Sequence, residues 1–220
     1  REHDDMSAFA ETTAALGFPH VEINYVIPPA GVEALLAQQH VSFSSVHSPC
    51  PRVKTPDGRL SDALNLASPE ADERERAVAS ARAAVDVAVR AGVALVVVHM
   101  GGVGSAIFEE ERERRRLFDA GTRSGDKVEA LRRGAAERRR EGFDSYFPWA
   151  QRSLAEIAEY ASARGVAIGL ENRYHYHEFP NVDELHVLLA EYPPEVAGFW
   201  LDIGHAEVLD TRRAIEHWKA

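Results

Sequence analysis

The stretch SLAEIAEYASARGVAIGLENR, residues 153–173, contains the pattern that decides the fold. Its first half carries apolar residues at helical spacing, namely Leu154, Ile157, Ala158 and Ala161. Gly165 then ends the predicted helix, because glycine is a common helix stop. A short apolar run follows at once and finishes on the carboxylate Glu171. A helix that turns directly into a short buried strand is typical of a parallel α/β unit.

The same pattern recurs along the chain. Five segments have strand character: residues 20–26, 41–47, 93–99, 166–171 and 197–202. Helical stretches lie between them, and the clearest runs from the Ser68–Pro69 cap over residues 69–91 to Gly92. The alternation predicts a parallel sheet with helical connections.

Composition limits the classes of function. With 220 residues and 45% hydrophobic content, residues 1–220 are expected to form one domain. A net charge of -10 opposes binding to nucleic acid or to an anionic membrane, and it favours a small neutral or metal-chelating substrate. No run reaches the roughly 18 apolar residues of a membrane helix. The single cysteine, Cys50, suggests a reducing cytoplasm, although the chain begins at Arg1 and a removed leader stays an open alternative.

A charged segment interrupts the alternation at about residues 104–148. Its ERERRRLF and AAERRREG stretches mix both signs of charge with few apolar anchors. We predict an exposed helical insertion with a salt-bridged surface, because glutamate is interleaved with arginine throughout. The glycine-rich residues 99–104 lack the spacing of a phosphate or dinucleotide motif and are interpreted as a turn.

Four successive predicted strands end on a residue that can bind metal or move a proton: His47, His99, Glu171 and Asp202. In a βα barrel these ends meet at one mouth, so the four side chains are expected to lie close together. Each one alone could instead be a structural histidine or a helix cap. His205 follows Asp202 by three residues, and a mixed carboxylate and imidazole set favours a transition metal.

The segment after Glu171 is also rich in functional groups. It adds Arg173, His175 and His177 within IGLENRYHYHEF, and a solvated loop is an equally good interpretation of the two histidines. Glu22 lies inside a predicted strand, where either an inward-facing charge or an exposed side chain fits the pattern. We leave these alternatives open.

An ordered set of short motifs carries a family resemblance. VHSP, LNLASPE, VVVHMGG, GLENR and LDIGHA occur in that order between about Val21 and Leu209. The set resembles the xylose-isomerase-like TIM barrels, which include sugar and sugar phosphate isomerases and epimerases as well as endonuclease IV. The resemblance implies a (β/α)8 TIM barrel, an α/β fold with eight strands. We count five and assign them to strands two to six, so we expect an incomplete barrel whose first strand precedes Arg1 and whose last two follow Ala220.

The resemblance also implies roles for the strand-end residues. Glu171 matches a metal ligand that is also the acid/base, and Asp202 matches a second ligand. His205 matches a substrate contact, while His47 and His99 match positions that bind substrate in isomerases and zinc in the endonuclease. We predict Glu171 and His99 as catalytic, and we predict His47, His205, Arg173 and His177 as substrate-binding. In that family the last strands supply a third ligand, which is a histidine, and a final glutamate, and neither is in this sequence.

The predicted function is a divalent-metal-dependent isomerase or epimerase of keto sugars or sugar phosphates, in carbohydrate metabolism. It would use one Mn, Co, Mg or Zn ion and act through an enediolate. One alternative is an endonuclease IV-like zinc phosphodiesterase acting on abasic DNA, and another is a truncated barrel domain without catalysis. The expected partner is a small sugar, with no nucleic acid and no membrane, and a homo-oligomer stays open.

Overall fold

The computed structural model describes residues 5–209, and within that range five strands form one parallel sheet. The strands are β1 (His20–Ile23), β2 (Ser42–His47), β3 (Leu95–Val98), β4 (Ala167–Glu171) and β5 (Ala197–Trp200). Their order in the sheet is their order in the chain, and each neighbouring pair is parallel. This βα arrangement confirms the predicted α/β fold class.

Helices connect the strands. They are α1 (Met6–Ala15), α2 (Pro29–Ala37), α3 (Ala71–Ala91), α4 (Glu109–Asp119), α5 (Asp126–Ser162), α6 (Val182–Leu189) and α7 (Ile203–Leu209), with a short 3-10 helix at Ser61–Ala63. Both α4 and α5 lie between β3 and β4. Between residues 5 and 209, none of the helices is long and apolar enough to cross a membrane.

The main core lies between the sheet and the two long helices α3 and α5. Val96 of β3 and Ile168 of β4 are buried, and so are the small residues of the inner face of α3, such as Ala81 and Ala84. Small side chains on one face let a helix approach a sheet closely. The turn after α3 depends on Gly92, whose φ of 68° is in the left-handed region that glycine adopts readily.

The structure departs from the sequence expectations at several boundaries. β1 ends at Ile23, and β5 ends at Trp200, before Asp202. One helix, α5, runs without interruption from the predicted insertion into the helix predicted over residues 149–164. It passes through Pro148 because Phe147 and Ala150 are both buried, and this packing outweighs the lost hydrogen bond.

The charged segment is helical and mostly exposed, but part of it lies in the interior. Glu111 of α4 and Val128 and Ala135 of α5 are buried. Gly142, inside α5, lies against Val103 so closely that a Cβ atom there would overlap the valine side chain. The segment therefore packs directly against the loop that follows β3.

Candidate active site

The candidate site lies at the carboxyl-terminal edge of the sheet. His47 ends β2, His99 directly follows β3 and Glu171 ends β4. Asp202 follows β5, and His205 lies in the first turn of α7. Because the strands are parallel, these ends occupy the same edge, and the structure brings all five predicted side chains together.

The first group of side chains consists of His47, His99 and Glu171. The Nε2 atoms of the two histidines lie 2.7 Å apart. Glu171 Oε2 is 2.5 Å from His99 Nε2 and 3.8 Å from His47 Nε2. His47 and Glu171 are 7% and 3% exposed, so water competes little for these groups.

The second group consists of Glu171, Asp202 and His205. His205 Nδ1 lies 3.9 Å from Glu171 Oε1 and 3.7 Å from Asp202 Oδ2. The backbone N–H of His205 donates to Asp202 Oδ1 at 2.7 Å. Glu171 thus belongs to both groups, with one carboxylate oxygen turned toward each.

Two more residues, which the sequence did not identify as functional, hold these groups in place. Glu22 Oε1 lies 2.9 Å from His47 Nδ1, and Glu22 Oε2 accepts a hydrogen bond from Ser45 Oγ at 2.7 Å. The side-chain amide of Asn172 donates to the backbone oxygen of Asp202 at 2.9 Å and accepts from its N–H at 2.7 Å. The charge inside an apolar strand was the one available signal for Glu22, and Asn172 had none beyond its position after Glu171.

Burial and neighbouring charges determine the charge states of Glu171 and His99. Burial alone would raise the pKa of the Glu171 carboxyl, but His99, His47 and Arg173 together hold it below its ordinary value. Burial is the main cause that lowers the pKa of His99, and Arg173 acts in the same direction. At neutral pH Glu171 is therefore ionised and His99 is neutral.

The hydrogen bonds indicate that this arrangement suits a cation. His99 Nε2 has three polar neighbours, because it lies 3.0 Å from Arg173 Nη1, 2.5 Å from Glu171 Oε2 and 2.7 Å from His47 Nε2. The carboxylate of Glu22 accepts a hydrogen bond from His47 Nδ1, which leaves His47 Nε2 as an acceptor. Two imidazole nitrogens and an ionised carboxylate oxygen therefore converge on one place, where a shared proton or cation can bind all three.

Both groups fit a divalent metal ion by the chemistry of their donor atoms. In each group, three ligand atoms lie within 4.8 Å of one another. The mixture of carboxylate and imidazole suits a transition metal. The predicted ligands Glu171 and Asp202 lie in one group, and Glu171 also belongs to the other.

The β4 loop, residues 172–178, carries the remaining predicted side chains. Arg173 donates to Glu171 Oε2 at 3.1 Å and to Glu178 Oε1 at 3.0 Å. His177 is 8% exposed, and burial lowers its pKa below the ordinary value. His175 Nδ1 lies 2.6 Å from Glu111. The structure therefore contradicts the solvated-loop interpretation of His175 and His177.

Comparison with known protein families matches residues 10–218 to the xylose isomerase-like TIM barrel family. The chain belongs to this family. The match extends over nearly the whole sequence and confirms the resemblance carried by the strand-end motifs. A search of curated proteins found no match.

Several solved structures share the fold at low sequence identity. The 3-keto-D-glucoside 4-epimerase of E. coli is 11% identical with a TM-score of 0.65, and the match covers 98% of this chain and 71% of that one. A putative xylose isomerase from Rhodospirillum rubrum is 16% identical with a TM-score of 0.63, covering 97% and 67%. D-psicose 3-epimerase from Clostridium cellulolyticum, solved with D-tagatose, is 17% identical with a TM-score of 0.60, covering 98% and 65%. The chain thus spans about two thirds of the length of these proteins.

In this member of the xylose isomerase-like family, a cavity of about 270 Å³ adjoins the site. His99, Arg173 and His177 line it, together with Tyr25 and Asn65. Its volume is close to the lower end of the range for ligand sites, roughly 300 Å³.

The loop after β3 forms one wall of this cavity. Asn65 Nδ2 donates to the backbone oxygens of Gly102 and Gly104 at 3.0 and 3.1 Å. Gly101 has a φ of 76°, and a Cβ atom there would overlap the Asn65 amide. A Cβ atom at Gly102 would overlap the backbone of the β4 loop at His177. The two loops are therefore packed backbone to backbone.

Proposed function

We propose that this chain forms the active site of a divalent-metal-dependent isomerase or epimerase that acts on keto sugars. The observation that carries the proposal is the position of Glu171, an ionised and nearly buried carboxylate between two ligand groups beside a polar cavity. The solved structures with the same fold include sugar epimerases, which supports the choice of substrate class.

Glu171 and Asp202 would hold the metal ion. When bound, a divalent ion polarises a carbonyl group and stabilises negative charge that develops on its oxygen. His205 and Asn172 keep Asp202 in place through the contacts to its carboxylate and backbone.

Glu171 would remove a proton from the carbon next to the substrate carbonyl. The electron pair of that C–H bond forms a carbon–carbon double bond, and the π pair of the carbonyl group moves onto its oxygen, which gives an enediolate. A carboxylate with a low pKa is a weak base, so the step requires a carbon acidified by the adjacent carbonyl. Return of the proton to the opposite face of the same carbon gives an epimer, and return to the neighbouring carbon gives an isomer.

His99 would be the second catalytic residue. Its Nε2 lies 2.5 Å from Glu171 Oε2, close enough to pass a proton to or from the carboxylate. His47, His205, Arg173 and His177 would bind the hydroxyl groups of the sugar. Imidazole suits this task because its two nitrogens offer one donor and one acceptor.

Exchange of solvent hydrogen into the substrate tests this proposal. The full-length protein is incubated with Mn(II) in D2O together with D-fructose, D-psicose or D-tagatose. We expect deuterium at carbon 3 for an epimerase or at carbon 1 for an isomerase, as seen by NMR. Folded, metal-loaded protein that incorporates no deuterium into any of these ketoses would contradict the proposal.

A second candidate is a zinc phosphodiesterase acting on abasic DNA. The group of His47, His99 and Glu171 favours it, because this is a second complete set of ligand atoms beside Glu171, Asp202 and His205. The net charge of -10 opposes it. Metal analysis separates the candidates: several tightly bound zinc ions and cleavage of an abasic oligonucleotide indicate the nuclease, and one exchangeable ion indicates the isomerase. Absence of any bound metal would favour a domain without catalysis.

A further inference from the structure

One carboxylate of the charged segment is buried while its helix is not. Glu111 is 1% exposed, and it is the only buried residue of α4, all of whose residues the structure describes. A buried carboxylate requires hydrogen-bond partners, because an unpaired charge in the interior is very costly. The identity of these partners connects α4 to the candidate active site.

The partners of Glu111 lie in the middle of the β4 loop. Glu111 Oε1 is 2.6 Å from His175 Nδ1, and Oε2 accepts the backbone N–H of Tyr176 at 3.1 Å. Arg115 donates to Glu111 Oε1 at 3.0 Å, so the carboxylate has a cation beside it. Arg114 adds a contact of 2.8 Å to the Tyr176 hydroxyl. The helix thus holds both the backbone and the side chains of the loop.

From His175 in the β4 loop, polar contacts continue to Glu171, the proposed catalytic carboxylate. The backbone N–H of His175 donates to Glu178 Oε2 at 3.0 Å. Glu178 Oε1 accepts from Arg173 Nε at 3.0 Å, and Arg173 donates to Glu171 at 3.1 Å. An unbroken series of polar contacts therefore leads from Glu111 on α4 to Glu171 at the end of β4.

We propose that Glu111 is a positioning residue for the active site. By holding His175 and Tyr176, it fixes the β4 loop so that Arg173 and His177 face the cavity. The kinetic part of this inference rests on the proposed isomerase function, whereas the structural part does not. The charged helical segment is then part of the substrate site, in addition to being a solvated surface.

Steady-state kinetics of Glu111→Ala in the full-length protein test the role. We expect KM for the ketose to rise roughly tenfold with a smaller change in kcat, because side chains that bind the substrate lose their position. Glu111→Gln retains one acceptor oxygen and should recover part of the loss. Glu109→Gln, on the exposed side of the same helix, should behave as wild type. An unchanged KM in Glu111→Ala, with or without a fall in kcat, would overturn the proposal.

Hydrogen exchange distinguishes failure of the positioning role from failure of the proposed function. In Glu111→Ala, or in Glu111→Gln if the alanine variant does not fold, backbone amides of the β4 loop should exchange faster while those of α3 do not. This measurement does not require a substrate. Faster exchange in a protein without ketose activity would support the positioning role and contradict the isomerase. Unchanged exchange in the loop would overturn the positioning role whatever the activity.

Discussion

Two regions of this molecule are rich in charged side chains: α4 with the beginning of α5, and the carboxyl-terminal ends of the strands. The charged groups are largely exposed in the first region and buried in the second. On α4 and the beginning of α5, ion pairs such as Arg116 with Glu109 and Lys127 with Glu113 have largely exposed cations. At the strand ends, Glu171 and His47 are almost fully buried, lie 3.8 Å apart and both contact His99. Exposed pairs are screened by water and contribute little to stability, whereas a buried charge is costly unless it is fully paired, so a buried pair depends on every partner. The number of charges in a segment therefore says less about function than their burial does.

The largest expected effect tests the buried region directly. Glu171→Gln keeps the shape of the side chain and removes the proposed proton acceptor, so ketose turnover should fall by about 100-fold to 10,000-fold. Circular dichroism should show an intact fold. Activity near that of wild type would assign the base to another residue, and His99 would be examined next.

Two adjacent arginines on α5 compare a buried ion pair with an exposed one. Arg139 forms a bidentate contact of 2.5 and 2.7 Å with Glu184 and has a side chain 15% exposed. Arg138 instead pairs with Glu110 and has a side chain 51% exposed. Arg139→Ala leaves Glu184 buried without its cationic partner and should lower the free energy of unfolding by about 3 kcal/mol.

Urea denaturation measures this difference, with Arg138→Ala as the matched control. That variant should unfold at nearly the wild-type urea concentration, because its ion pair is exposed to water. Equal destabilisation by the two substitutions would contradict the distinction between buried and exposed ion pairs.

The Glu22→Gln substitution tests whether His47 binds the sugar or the metal ion. The substitution weakens the hydrogen bond that orients the imidazole. If His47 binds the sugar, KM should rise roughly tenfold while the affinity for Mn(II), measured by calorimetry, stays the same. A fall of about 10-fold to 100-fold in metal affinity would instead identify His47 as a metal ligand.

The smallest expected effect concerns pH. Burial alone would raise the pKa of Glu111, but His175, the Tyr176 backbone and Arg115 hold it below the ordinary 4.5. A lowered folded-state pKa stabilises the protein fully above the unfolded value, and this contribution is lost as the pH falls through the folded value. The difference in unfolding free energy between wild type and Glu111→Gln should therefore be constant above about pH 5 and narrow below it. A difference that widens in acid would contradict the pairing.

The sequence predicted the framework of the site because local patterns encode it. Each of the five predicted strand segments contains an observed strand, and the polar residues at their ends follow from the parallel order. The capping box of Asn181 and Glu184 is a local sequence signal for the beginning of α6. Short helices such as α6 and α2 have too few turns for a clear apolar period.

Contacts between residues that are distant in the chain could not be predicted from local sequence patterns. The role of Glu111 depends on His175, which is 64 residues away in the chain. Within ERERRRLF this glutamate has the same neighbours as the exposed ones, so nothing local distinguishes it. Glu22 was left open for a related reason, because only the pairing of β1 with β2 turns its carboxylate toward His47. Whether a charged side chain is buried depends on the residues that pack over it, and these can be distant in the sequence.

The contact between Asn65 and Gly101 limits how this sequence can diverge. The amide of Asn65 occupies the space that a side chain at Gly101 would need. Replacing Asn65 would open that space, but the φ of 76° at Gly101 would still favour glycine. Replacing Gly101 alone would both overlap the Asn65 amide and strain the backbone at its positive φ. Among sequences that descend from a common ancestor with this chain, the asparagine should change more readily than the glycine, and a side chain at residue 101 should appear only after residue 65 has become smaller.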